Sequence, residues 1–278
     1  MSDDWLWDGT GEPDPDLARW SAALAPLRYR GRPPRSRWPV AAALALAAAA
    51  LVWAAAPGQG WRCGVDCVLA EGQWLDVGSE PVSLAVADLG TMTVSPNARL
   101  RLVETGPRAH RVELAVGHLY AEVDAPPRLL VVDTPGAAAV DLGCAYDLTV
   151  MPDGSSLLIV DVGEVSLEGA RTAWVPAGAA ALTWPGHGPG VPWDGDADPA
   201  YADALVAWDL DGQDLLPWIL EHSGPTDGVS LWHLVQRAEP PERAQVVERI
   251  EALFGPVEPG VAALEPEALR ELRDRIVR

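Results

Sequence analysis

The chain has 278 residues, enough for one or two ordinary domains beyond any anchor. Its 40 acidic residues against 20 basic ones give a formal charge of −20. That balance excludes nucleic acid as a partner class, because phosphate binding needs a basic face. Three cysteines are too few for a disulfide framework. There is no lysine; every basic residue is arginine, which alongside the abundant Ala, Gly, Pro and Trp reads as compositional bias.

Residues 1–37 are neutral overall, with six carboxylates and six arginines, so the whole acidic excess lies further on. Within them, Asp14 or Asp16 caps a short helix with Pro15 near its first turn. Leu17, Trp20, Leu24 and Leu27 recur at three- and four-residue spacing and form one apolar stripe. A lone helix of about twelve residues is marginal in water, so the stripe needs cover. The membrane surface, a packing partner in the same chain or a partner protein would serve. A stiff basic neck follows, with Pro33-Pro34 inside it.

From Trp38 to Ala56 there are 19 residues without a charge, 11 of them alanine. As a helix they span ~28 Å, close to the ~30 Å hydrocarbon core, and the tryptophans 38 and 53 sit near the two ends. Arg28, Arg30, Arg32, Arg35 and Arg37 precede the run, and only Arg62 follows it before Arg99. By the positive-inside rule, residues 1–37 are expected in the cytoplasm and 57–278 outside it. A cleaved signal, ending at Ala54-Ala55-Ala56, and a buried soluble helix are the rival readings. The long lead and Pro57 disfavour cleavage, and a fully apolar run has no face to give to water.

Residues 57–185 read as β-structure. Runs such as PVSLAVADLG, HRVELAVGHLYAEV and SLLIVDVGEVSLEG alternate apolar with polar residues and are broken by Gly, Pro, Asn and Asp. Glycine-closed strands at intervals of roughly 20–27 residues suggest a roll or sandwich, with the glycines as turn punctuation. Cys63 and Cys67 cannot bridge along an extended strand, but a turn through Gly64 would let them pair in an oxidising compartment. Residues 186–199 are Pro/Gly/Asp-rich and read as a linker. WDGDADP (193–199) lacks the bidentate glutamate of a calcium loop and reads as solvated acid.

Residues 200–278 show helical spacing in four or five segments, so a small bundle is expected. Leu231, Leu234 and Val235 mark one face, and Val246, Val247, Ile250 and Leu253 another; Trp232 and His233 read as structural. No HExxH, GxSxG, P-loop or CxxC occurs, and the histidines and cysteines make no ligand-spaced set. Neither a catalytic role, a metal nor a cofactor is therefore expected. The fold class is multi-domain: a single transmembrane helix, an all-β roll or sandwich and a C-terminal helical bundle.

The β-region resembles the FecR family, the periplasmic domain of membrane-bound anti-sigma regulators. VELAVGHLYAEV (112–123) is similar to the family's paired-strand motif, with Gly117. VVDTPGAAAVDLGCAYDLTV (131–150) resembles its most specific motif through Thr134, Pro135, Gly143 and Tyr146. IVDVGEVSLEG (159–169) and VPAGAAA (175–181) resemble the closing strand and turn, through Gly163 and Gly178. The LWD and PDP lead (6–15) is similar to that of short anti-sigma-like members. The resemblance implies a single-pass inner-membrane signal transducer. Its outer part would meet a periplasmic or outer-membrane protein, and the Leu17–Leu27 stripe would hold a sigma factor or other cytoplasmic protein. The alternative is an anchored cell-envelope interaction module with no transcriptional role.

Overall fold

The structure is a computed structural model, and it describes residues 60–64 and 67–277, together with Arg19. The stripe Leu17, Trp20, Leu24, Leu27, the topology arginines 28–37 and the span Trp38–Ala56 lie outside the described residues. Among the described residues no helix is long and apolar enough to cross a membrane. Residues 57–278 form one compact unit, β-rich with a C-terminal helical segment.

Sixteen strands are described: β1 Trp61–Cys63, β2 Val68–Leu69, β3 Trp74–Asp76, β4 Val82–Val86, β5 Gly90–Val94, β6 Arg99–Gly106, β7 Ala109–Val123 and β8 Leu130–Asp133. They continue as β9 Ala138–Asp141, β10 Cys144–Val150, β11 Ser156–Val162, β12 Glu164–Glu168, β13 Thr172–Pro176, β14 Ala179–Trp184, β15 Gly188–Pro189 and β16 Trp193–Asp194. The first sheet runs β2-β1-β4-β5-β7-β10-β11-β14, with β15 and β16 both paired to β14. The second runs β3-β6-β7-β8-β9-β12-β13. The inner faces share one core, in which Trp61, Tyr146, Met92 and sixteen leucines and valines are fully buried.

The 15-residue β7 belongs to both sheets. Its first half pairs with β6 and, in parallel, with β8; its second half pairs with β5 and β10. The burial pattern explains how. His110, Val112 and Leu114 point inward, then Leu119, Ala121 and Val123, so the inward parity changes from even to odd. A strand alternates with period 2 and cannot change parity without an irregular residue. The irregularity spans 115–117: the register with β6 skips Ala115, and Gly117 has φ +103°, where a Cβ would fall on the backbone of Ala98.

The segment read as a linker is part of the sandwich rather than a spacer. Gly188–Pro189 and Trp193–Asp194 pair with β14, and residues 188–192 are buried. Its glycines and prolines permit close packing, which composition alone does not distinguish from flexibility.

Five helices follow: α1 Pro199–Asp211, α2 Leu216–His222, α3 Gly228–Arg237, α4 Pro240–Phe254 and α5 Pro266–Ile276. Asp198 caps α1 by accepting from the Ala200 N–H at 2.8 Å, and Pro199 opens it. Leu231, Leu234, Val235, Val246 and Ile250 form their core with Leu205, Ile219 and Leu272. The bundle is not free-standing. Val229, at the start of α3, packs in the sandwich core, and Val277 touches both cores.

Candidate functional site

The motif glycines lie where the chain passes between sheets. Gly143 joins β9 of the second sheet to β10 of the first, Gly163 joins β11 to β12 on the return, and Gly178 joins β13 to β14. All have positive φ. The closest approach is at Gly163, where a Cβ would meet the Gly143 carbonyl oxygen and stand 3.1 Å from the Cys144 Cα. Thr134 closes the β8–β9 turn, its hydroxyl donating to the Ala137 carbonyl at 2.8 Å and accepting the Ala137 N–H at 3.1 Å. Next to it, the buried hydroxyls of Ser156 and Thr183 bond each other at 2.6 Å across β11 and β14. Pro135 packs by Gly154.

Tyr146, Cys144 and Asp141 form a buried titratable cluster at the same crossing. Asp141 accepts the Gly143 N–H at 2.5 Å with one oxygen, while its other oxygen and the Tyr146 hydroxyl have no partner among the described residues. Burial raises the pKa of all three, and the Asp141 charge pushes Cys144 and Tyr146 further up. A thiol held this way is inert. Cys63 and Cys67 are disulfide-bonded, with Cα atoms 4.9 Å apart and the Cys63 N–H donating to the Cys67 carbonyl at 2.9 Å.

On the outer face of the first sheet, Ser95 Oγ lies 2.8 Å from His118 Nδ1, and His118 Nε2 lies 2.6 Å from Asp147 Oδ1. A carboxylate only accepts, so Nε2 carries a hydrogen, and in the neutral ring Nδ1 accepts from the serine hydroxyl. The order matches nucleophile, base and orienter. The N–H of Ser95 donates to the His118 carbonyl, that of Asn97 to Val77 and Gly78, and that of Ala98 to Ser95, while residue 96 is proline. None of these backbone donors is left over to hold an oxyanion. The set ties the β5–β6 turn to the sheet.

The most extensive buried polar chemistry lies at the seam between sandwich and helices. Along α3, polar residues stand at positions 230, 233 and 237, which share one side of the helix. Ser230 Oγ donates to the Pro192 carbonyl at 2.9 Å. Arg237 donates from Nη1 to the Pro189 carbonyl and from Nη2 to the Gly190 carbonyl, both at 3.1 Å. His233 Nδ1–H donates to the Val229 carbonyl at 2.9 Å, and its Nε2 accepts the N–H of Trp174 at 3.2 Å. Trp174 lies on β13, the edge of the second sheet, so the histidine covers an edge donor that would otherwise be open. Both ring nitrogens are engaged only when the ring is neutral, and burial lowers the His233 pKa to about 3. Trp232 donates its indole N–H to the Leu269 carbonyl at 2.8 Å and meets Trp174 edge-on, and Arg273 of α5 stacks over Trp174.

Asp209 of α1 is the hub of the seam. Its side chain is 2% exposed; it accepts from Arg171 at 2.5 Å, from Arg237 at 2.8 Å and from the Val191 N–H at 3.1 Å. Arg171 also lies against His187. None of Arg171, Asp209 and Arg237 is among the candidate residues from sequence. The available signal was their setting: Arg171 is the only arginine between positions 128 and 237, and 230, 233 and 237 share a helix face.

Among the described residues no group of His, Cys, Asp and Glu is arranged to hold a metal ion. No protein-family model and no curated protein matches the chain. It is similar to two crystal structures of a "putative anti-sigma factor" from Parabacteroides distasonis ATCC 8503. One aligns at TM-score 0.38 with 14% identity, covering 48% of this chain and 64% of that one. The other aligns at TM-score 0.38 with 15% identity, covering 49% and 63%. This chain thus spans under two thirds of their length.

Proposed function

We propose that the protein is a single-pass inner-membrane signal transducer of anti-sigma type and not an enzyme. Residues 1–37 would lie in the cytoplasm, and the sandwich with its helices would face the periplasm. The observation that carries this reading is the position of the resemblance motif. Gly117, Gly143, Gly163 and Gly178 all lie at positive φ where the chain changes sheet, so the FecR-like residues coincide with those that set the topology. The Cys63–Cys67 bond favours an oxidising compartment, and the arginine asymmetry about residues 38–56 favours the same sidedness. The outer unit meets a periplasmic or outer-membrane protein, and the Leu17, Trp20, Leu24 and Leu27 stripe holds a sigma factor.

The test is sidedness together with capture. A reporter active only outside the cytoplasm, fused after residue 278, is expected to be active, and the same reporter at residue 30 inactive. Full-length chain extracted in detergent should copurify a sigma factor, and Leu24→Asp should lose it. A C-terminus on the cytoplasmic side overturns the reading. Correct sidedness without any sigma factor leaves the anchored interaction module in its place.

A further inference from the structure

The seam opens on one side into a cleft of about 500 Å³, a size typical of small-ligand sites, which favour boundaries between packed units. Its floor is the Asp209 hub. One carboxylate there faces two guanidiniums, and among the described residues no other carboxylate is within ion-pair distance of either. One positive charge is therefore left over. Arg237, whose side chain is only 10% exposed, bears most of the cost: burial lowers its pKa even with Asp209 beside it. The Nε–H groups of both arginines make no hydrogen bond among the described residues.

The rim has the opposite character. Glu239 precedes α4, Glu242 lies in its first turn and Asp214 follows α1; all three line the cleft, and none has an arginine within ion-pair distance among the described residues. The C-terminal end of α1 adds its negative dipole end, and Trp208 supplies an aromatic wall. A simple anion would be repelled by this rim, and a simple cation by this floor.

We propose that the cleft binds a short zwitterionic peptide of about two or three residues, its carboxylate on Arg171 and Arg237 and its ammonium between Glu239 and Glu242. Trp208 packs on the peptide between the two ends. The inference rests on the folded unit alone and is independent of sidedness and of sigma-factor capture.

Calorimetric titration of the full-length chain in detergent with Ala-Ala and Ala-Ala-Ala tests it. Saturable binding is expected, weakened at least tenfold by N-acetylation and at least tenfold by C-terminal amidation. In Glu242→Gln the free peptide should bind more weakly and the N-acetylation penalty should fall below threefold; Arg171→Gln should do the same to the amidation penalty. The blocked peptides probe the unaltered protein, so the result does not depend on how well a variant folds. No saturable binding up to 10 mM, equal binding of doubly blocked peptide, or competition by inorganic phosphate as strong as by peptide would each overturn the proposal.

Discussion

Replacing His233 by glutamine removes a titrating group from the seam while keeping an acceptor for the Trp174 N–H and a donor for the Val229 carbonyl. The native ring is neutral with a pKa near 3, whereas an exposed histidine titrates at 6.5. Because the folded value is the lower one, the stability it confers is fully present above pH ~6.5 and is lost as pH falls toward 3, where the unfolded chain binds a proton that the native chain does not. The loss is about 1.4 kcal/mol per pH unit in that window, so wild type at pH 4.5 should have given up about 3 kcal/mol from this residue relative to pH 7.5. Arg237 on the same helix adds repulsion against the protonated ring. The buried carboxylates Asp141 and Asp227 have raised pKa values, so they gain stability on acidification, equally in both proteins. Urea unfolding followed by tryptophan fluorescence at pH 7.5 and 4.5 gives the four numbers needed. His233→Gln should lose about 2–3 kcal/mol less than wild type over the interval. Equal losses in the two proteins, within about 0.5 kcal/mol, would refute the assignment of His233 as the neutral ring between the two backbone groups.

Two further outcomes follow from the crossings and the cysteines. Gly163→Ala must strain φ +78° and push a methyl group against the Gly143 carbonyl, whereas Gly178→Ala has the same φ and open space. Thermal or urea unfolding should show a loss of about 1–2 kcal/mol at Gly178 and roughly twice that at Gly163; equal losses would contradict the close approach. A thiol reagent should label no cysteine in the native unit, one after denaturation without reductant and three after reduction, since Cys144 is buried and Cys63–Cys67 is paired. Three thiols before reduction would contradict the disulfide.

The strands were legible because alternation is a local property: the burial of Leu84 and Val86, or of Leu158 and Val160, follows from period 2. The glycines were legible as breaks but not as crossings. A Gly after a strand reads the same whether the chain turns back within its sheet or steps to the other one, and only the partner strand distinguishes them. The segment 186–199 misled for a related reason. Its backbone carbonyls at Pro189, Gly190 and Pro192 are the acceptors for Arg237 and Ser230, and a carbonyl leaves no mark in the sequence. On α3 the leucines marked one face and Trp232 and His233 read as structural, but nothing local marked Ser230 and Arg237 as donors to the sandwich. Asp209 is one acid among many, and its role appears only when helix and sandwich are brought together.

The bond between Trp174 and His233 spans 59 residues of chain. During synthesis at 5–20 residues per second, β13 exists for roughly 3–12 s before the helix that covers it has been made. Throughout that interval the second sheet ends in an unpaired strand, open to pairing with another copy. Truncation before α3 would make that interval permanent. The C-terminal helices therefore act late, as the step that closes the β13 edge of the second sheet.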